Sequence, residues 1–256
     1  METLRAENLV KTFTLSEKQR KALDLTERKK TAVNNISFTA NSGEVFGLIG
    51  PNGAGKTTTM RMLATLIKPD SGDVFYNDIS AVKYPEQVRA KLAFLTTDLK
   101  LDMKATANTM FDFFSRLYHL PKPQTEIRKE ELFNTFGISS FADTKISKLS
   151  QGMRQKVSLA ISVIHDPQFI ILDEPTNGLD IISARDVRNF ILDMKKRGKC
   201  VIISTHLFDL VEKVCDRAAM IIDGQIAVND TLDNLKVGKS LEDAFYDYYL
   251  KYQNNL

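Results

Sequence analysis

"EVFGLIGPNGAGKTTTM", residues 44–60, decides how the rest of the chain is read. Its first half is a short apolar run that suits a strand buried on both faces. From Gly50 to Thr57 it then follows the spacing G-x-x-x-x-G-K-[ST] and runs into residues with helical spacing. Strand, glycine-rich turn and helix in that order form a phosphate-binding loop. The stretch Gly50, Pro51, Asn52, Gly53, Ala54, Gly55, Lys56, Thr57 and Thr58 is therefore assigned to nucleotide contact. Its backbone N–H groups cradle phosphates, and its glycines let the backbone come close. Lys56 reaches the outer phosphates and the Thr57 hydroxyl ligates magnesium.

A matching acidic element lies downstream in FIILDE, residues 169–174. Four apolar residues bury a strand and put Asp173 at its C-terminal edge, where open α/β sheets bind ligands. Asp173 would hold magnesium through its water shell, and Glu174 would polarise an attacking water. Two adjacent acids could also be only a helix cap, but Pro175 and the phosphate loop argue against that. His206 follows another apolar run in VIISTHLF. A lone histidine is commonly structural; at a strand end in this architecture it can also sense a terminal phosphate and orient water.

Outward from these motifs, short apolar strands (169–174, 199–205, 218–223) alternate with helical stretches, which argues for a parallel sheet covered by helices. Residues 4–13, 32–39, 71–78 and 91–96 read as further strands, and 57–67 as a helix stopping before Pro69. Residues 104–164 are helical in pattern, with an aromatic stretch at 109–120 that supplies core and, in part, a docking surface. The charged segment 14–31 reads as a solvated loop or short exposed helix, or as a partner contact. The C-terminal segment reads as an amphipathic helix.

The chain has 256 residues, enough for one sizeable core. Its 35 basic and 32 acidic residues leave a net charge of +3, too mild for a nucleic-acid-binding face. The two cysteines, Cys200 and Cys215, sit in apolar segments and read as reduced thiols. No apolar run approaches the roughly 20 residues needed to span a bilayer, and the N-terminal stretch has no signal-like apolar region. The expected location is therefore the cytoplasm.

One stretch remains, KLSQGMRQK at 148–156, a second potential anion site at a helix start. Over almost its whole length the chain resembles the ATP-binding subunits of ABC transporters. In that comparison LSQGM (149–153) is similar to their signature sequence, usually LSGGQ, and EPTNGLD (174–180) to their D-loop, ending at Asp180. His206 matches their switch histidine and Phe13 the aromatic that stacks on adenine. The resemblance implies a P-loop α/β core, a small antiparallel β region and a helical subdomain near 98–165, within one ATPase domain spanning 1–256 with a C-terminal helical extension near 239–256. It implies ATP and Mg2+ as ligands. It also implies head-to-tail pairing with a second copy, in which Ser150, Gln151, Gly152, Met153 and Asp180 face the partner's nucleotide.

Two departures stand out. The signature has Gln151 and Met153 where Gly and Gln are commoner, and the Q-loop glutamine is missing. Thr97 and Asp98 stand at that place, with Asp98 the better magnesium ligand. Within the family the motifs look most like those of the sodium-exporting subgroup, although drug and lipid exporters share nearly the same pattern. A separate integral membrane permease is then required, holding the chain at the inner face of the membrane. A soluble relative acting on nucleic acid or ribosomes would carry a long coiled-coil insertion or a second ATPase domain, and this chain has neither. A scaffold that binds ATP without turnover is disfavoured by Lys56, Asp173, Glu174 and His206.

Overall fold

The computed structural model describes residues 2–22, 26, 28–96, 101–236 and 238–254. In chain order its elements are β1 (Thr3–Thr14), α1 (Glu17–Ala22), β2 (Lys29–Asn41), β3 (Val45–Ile49), α2 (Lys56–Leu63), β4 (Ser71–Tyr76), β5 (Ile79–Ser80), α3 (Pro85–Arg89), β6 (Leu92–Thr96), α4 (Ala107–Leu117), α5 (Lys122–Phe136), α6 (Gln151–Ser162), β7 (Phe169–Asp173), α7 (Ile181–Lys196), β8 (Cys200–Thr205), α8 (Phe208–Val214), β9 (Arg217–Ile222), β10 (Gln225–Thr231), α9 (Leu232–Lys236) and α10 (Leu241–Asn254).

Among the described residues, ten strands build two sheets. The larger has the order β10-β9-β3-β8-β7-β6 and is parallel except for the edge pair β9/β10. Side chains alternate across a strand, and both faces here are covered. Phe169 and Ile171 pack with Met60, Met62 and Leu63 of α2, while Ile170 and Leu172 pack with Val187 and Phe190 of α7 and with α6. That two-sided burial is why these strands are apolar throughout. The smaller sheet, β2-β1-β4-β5, is antiparallel. The fold is thus the α/β core with an antiparallel sheet and helices that the sequence implies.

The helical middle holds α4, α5 and α6. Its aromatic stretch gives the core less than the sequence reading assigned: Phe111 is buried, edge-on to Phe133, and Phe114 partly buried, whereas Phe113 and Tyr118 are exposed. Two boundaries differ from the sequence reading. Helix α2 ends at Leu63 rather than near Ile67, because Thr65 turns into the left-handed region (φ 59) and Leu66 N bonds back to Arg61 O. The 71–78 stretch is not one strand: Asn77 (φ 55) makes a tight turn into β5, which suits Asn. Strand β10 and helices α3 and α9 lie outside the sequence reading altogether. Among the described residues, no helix is long and apolar enough to cross a membrane.

Candidate nucleotide site

Parallel register brings the carboxyl ends of three strands together. Ile49 of β3 pairs with Thr205 of β8, and Asp173 of β7 pairs with Ser204 of β8. Glu174 and His206 each follow their strand by one residue, so they meet: His206 Nδ1 is 3.0 Å from Glu174 Oε1. Glu174 holds φ 51, a left-handed backbone that costs a non-glycine residue about 1–3 kcal/mol and is fixed here by its N–H donating to Ser204 O at 3.0 Å. The second carboxylate oxygen of Glu174, Oε2, is buried with no partner, an acceptor left for a group from outside the protein.

The phosphate loop arrives from β3. Gly55 starts α2 at φ 105, and a Cβ there would meet Ala32 O at 2.3 Å, so only glycine lets β2 lie this close. Lys56 is buried; its Nζ donates to Gly50 O at 2.7 Å and Pro51 O at 3.2 Å, and lies 3.6 Å from Glu174 Oε1. Burial pushes its ammonium below the ordinary lysine value, against the pull of the Glu174 and Asp173 carboxylates. Thr57 Oγ1 donates to Asp173 Oδ1 at 3.3 Å, and Ser204 Oγ donates to the same oxygen. Hydroxyl and carboxylate oxygens gathered this way are hard donors that suit Mg2+.

Lys56, Thr57, Glu174 and His206 line a cleft of about 350 Å³, with Asp173 behind Thr57 and outside that lining. Of the sequence-assigned residues, Phe13, Asn52, Gly53, Gly55, Lys56, Thr57, Thr58, Glu174 and His206 line it; Gly50 and Pro51 support Lys56 from behind. Phe13 is 39% exposed, so its ring is available rather than buried in the core. Lys30, Ala32 and Asn177 also line the cleft, and the sequence reading missed them. Lys30 lies near the end of the 14–31 segment, read as solvated or as a partner contact; only the register of β1 and β2 places it here.

Ser150, Gln151, Gly152, Met153 and Asp180 do not line this cleft. Ser150 caps α6, its side chain accepting from Met153 N at 3.2 Å. Asp180 caps α7, accepting from Ile182 N, Ser183 N and Ser183 Oγ, and these bonds hold its carboxyl below the usual range. The two helix starts are pressed together. A Cβ on Gly152 would meet Ser183 Oγ at 2.1 Å, while Gln151 lays its amide over Gly178. Gly152 is therefore demanded by packing within the chain, a reason the sequence reading did not foresee. Met153 is partly buried, its side chain packed against the core. Thr97 and Asp98 lie outside the described residues.

Residues 33–177 match the family described as ABC transporter. The chain belongs to that family. This ABC ATPase is 36% identical to the ABC transporter ATP-binding protein NatA of Bacillus subtilis (strain 168), over 88% of its own length and 93% of the relative's. It is 32% identical to a fluoroquinolones export ATP-binding protein of Mycobacterium tuberculosis, over 85% of its length and 71% of the relative's. In fold it resembles a solved ATP-binding subunit of an ABC transporter, with a TM-score of 0.83, 24% identity, and 96% of this chain and 99% of that one covered. The chain is accordingly an ATPase of the ABC family.

Proposed function

We propose that the chain hydrolyses ATP held with Mg2+, as one of two copies driving an exporter through a separate membrane permease, with sodium as the cargo. The convergence of Lys56, Glu174 and His206 on one cleft carries the hydrolytic part. Phe13 takes the adenine and the phosphate loop takes the phosphates. Thr57 would hold Mg2+ directly and Asp173 through water; the ion supplies charge neutralisation at the phosphates. Glu174 orients a water in line with the γ-phosphate, and His206 braces Glu174 through the 3.0 Å contact. Water attacks phosphorus, the bond to the β-phosphate bridging oxygen breaks, and ADP and phosphate leave. Positioning and electrostatics do the work, with no covalent intermediate.

The signature residues fit a second copy. Ser150, Gln151 and Gly152 sit at a helix start away from the chain's own cleft, where free N–H groups suit a phosphate supplied by a partner. Beside Asp180, Ile181 and Ile182 are 89% and 73% exposed, apolar surface for that partner to cover. The helical segment near 98–165 is read as the arm that meets the permease, with Phe113 and Leu117 exposed along α4. Residues near 239–256 are read as an extension of the same ATPase domain, and the chain as cytoplasmic and peripheral on the inner membrane face.

Similarity to NatA over most of both chains supports sodium. Similarity to a fluoroquinolones export protein supports drug efflux as the second reading. Vesicles holding the complex with its natural permease separate the two. ATP-driven outward sodium flux, absent with Lys56→Ala, supports the first. Drug movement with no sodium flux above that blank supports the second. ATP hydrolysis that no permease stimulates would remove transport.

A further inference from the structure

We propose that Lys30 reads the purine base of the bound nucleotide, giving the base end of the cleft a hydrogen-bond donor beside the aromatic Phe13; this rests on the cleft being the nucleotide site. Strand β2 gives the cleft Lys30 and Ala32. At Ala32 its carbonyl touches the phosphate loop, 2.3 Å from where a Cβ on Gly55 would stand. Two residues away, past a bulge where the ladder shifts register between Val33 and Thr31, stands Lys30, and both Lys30 and Ala32 line the cleft. Lys30 lies directly opposite Phe13 in the β1/β2 ladder. Side chains so paired have Cβ atoms roughly 5 Å apart on one face of the sheet. The phosphate end and the aromatic end of the cleft are thus separated along β2, and Lys30 belongs to the aromatic end.

Two lysines line the cleft, and they differ in what already holds them. Lys56 is tied to two carbonyls and Glu174. Lys11, whose ammonium stands 5.9 Å from the centre of the Phe13 ring, is tied to Asp70 and to Lys68 O. Lys30 has no hydrogen-bond or ion-pair partner among the described residues, and it is only partly exposed. An ammonium carries three donors and no acceptor. A base stacked on Phe13 would present ring acceptors at its edge. Guanine offers O6 and N7 side by side, the pair lysine matches best, whereas adenine offers N7 beside an amino donor. Lys30 therefore favours purines, and the gain is larger for guanine than for adenine. The ABC ATPase should accept GTP readily.

Isothermal titration of wild type, Lys30→Ala and Lys30→Met with GTP, ATP and inorganic tripolyphosphate tests this. Lys30 has no partner to lose among the described residues, so both variants should fold. The expected loss is about tenfold for GTP, smaller for ATP, and under about twofold for tripolyphosphate, with Lys30→Arg restoring the GTP value. Equal losses for all three ligands would place Lys30 on the phosphates and overturn the inference. Equal losses for the two nucleotides alone would place it on the ribose and do the same. Unchanged affinities in the variants overturn it too, while the site stands. Wild type that binds none of the three overturns the nucleotide cleft itself.

Discussion

Glu174 and His206 face each other across the ends of two neighbouring strands, with Nδ1 of the histidine 3.0 Å from Oε1 of the carboxylate. The same oxygen lies 3.6 Å from Lys56 Nζ, and the other carboxylate oxygen is buried without a partner. One oxygen faces Lys56 and His206, and the other is left for water. Glu174→Gln keeps the shape and gives up the charge. Nucleotide binding should survive and hydrolysis fall by about 10²–10⁴. Gel filtration with ATP and magnesium should show a trapped dimer. His206→Ala should lose part of the same factor, and the double variant little beyond Glu174→Gln, since the two act as a unit. Additive losses would mean that His206 works on the phosphate independently.

Gly152 is set against Ser183 so closely that an added Cβ would stand 2.1 Å from its Oγ and 2.8 Å from its Cβ. Gly152→Ala should destabilise the monomer by about 1–3 kcal/mol, as overpacking does. Ser183→Gly should recover part of that loss in the double variant, although it also removes a bond to Asp180. Urea unfolding without nucleotide is the measurement. An unchanged midpoint for Gly152→Ala would show that the two helix starts can separate at little cost.

A test of the paired arrangement therefore needs a signature residue whose change leaves the monomer intact. Ser150 is exposed and caps α6. Aspartate caps as well as serine, so Ser150→Asp should keep the melting temperature while setting a negative charge against the partner's γ-phosphate. Ser150→Asp and Lys56→Ala should each lose ATPase activity in pure form. Mixed, they form some dimers with one intact composite site, and activity should return in part. No recovery between exchanging subunits would put the signature and the phosphate loop to work on one chain's nucleotide.

The strands of the parallel sheet were legible because burial on both faces leaves only apolar residues, and the phosphate loop because its glycines and Lys56 have fixed spacing after such a strand. Glu174 and His206 were legible as strand-end residues; their contact was not, since it depends on which strands are neighbours. The early end of α2 turns on a left-handed Thr65, a conformation threonine seldom signals. Strand β10 has no fully buried residue, so it lacks the apolar run that marked the others. Gly152 read as a ligand residue because glycine serves close approach of any kind, and sequence does not say what approaches.

Away from the nucleotide, His165 predicts a pH dependence of stability. Its ring stacks on Tyr118 at 4.1 Å, and Nε2 is 3.2 Å from Leu92 O, so the neutral ring donates there. Nδ1 is buried with no partner. Burial pushes the imidazole below its ordinary value, with Leu92 O acting against this; Arg128 and Lys199 lower it further and Asp166 raises it. Protonation would place an N–H at Nδ1 with nothing to accept it and a positive charge near Arg128. The unfolded chain protonates this histidine near pH 6.5, while the native one resists. Between those two values the unfolded state binds more protons, so stability should fall as pH drops below about 6.5 and level off once the native ring is charged. His165→Gln, which cannot charge, should flatten that part of the curve. Thermal melts of both proteins from pH 7.5 to 5 measure it, and parallel curves would assign the acid sensitivity to other groups.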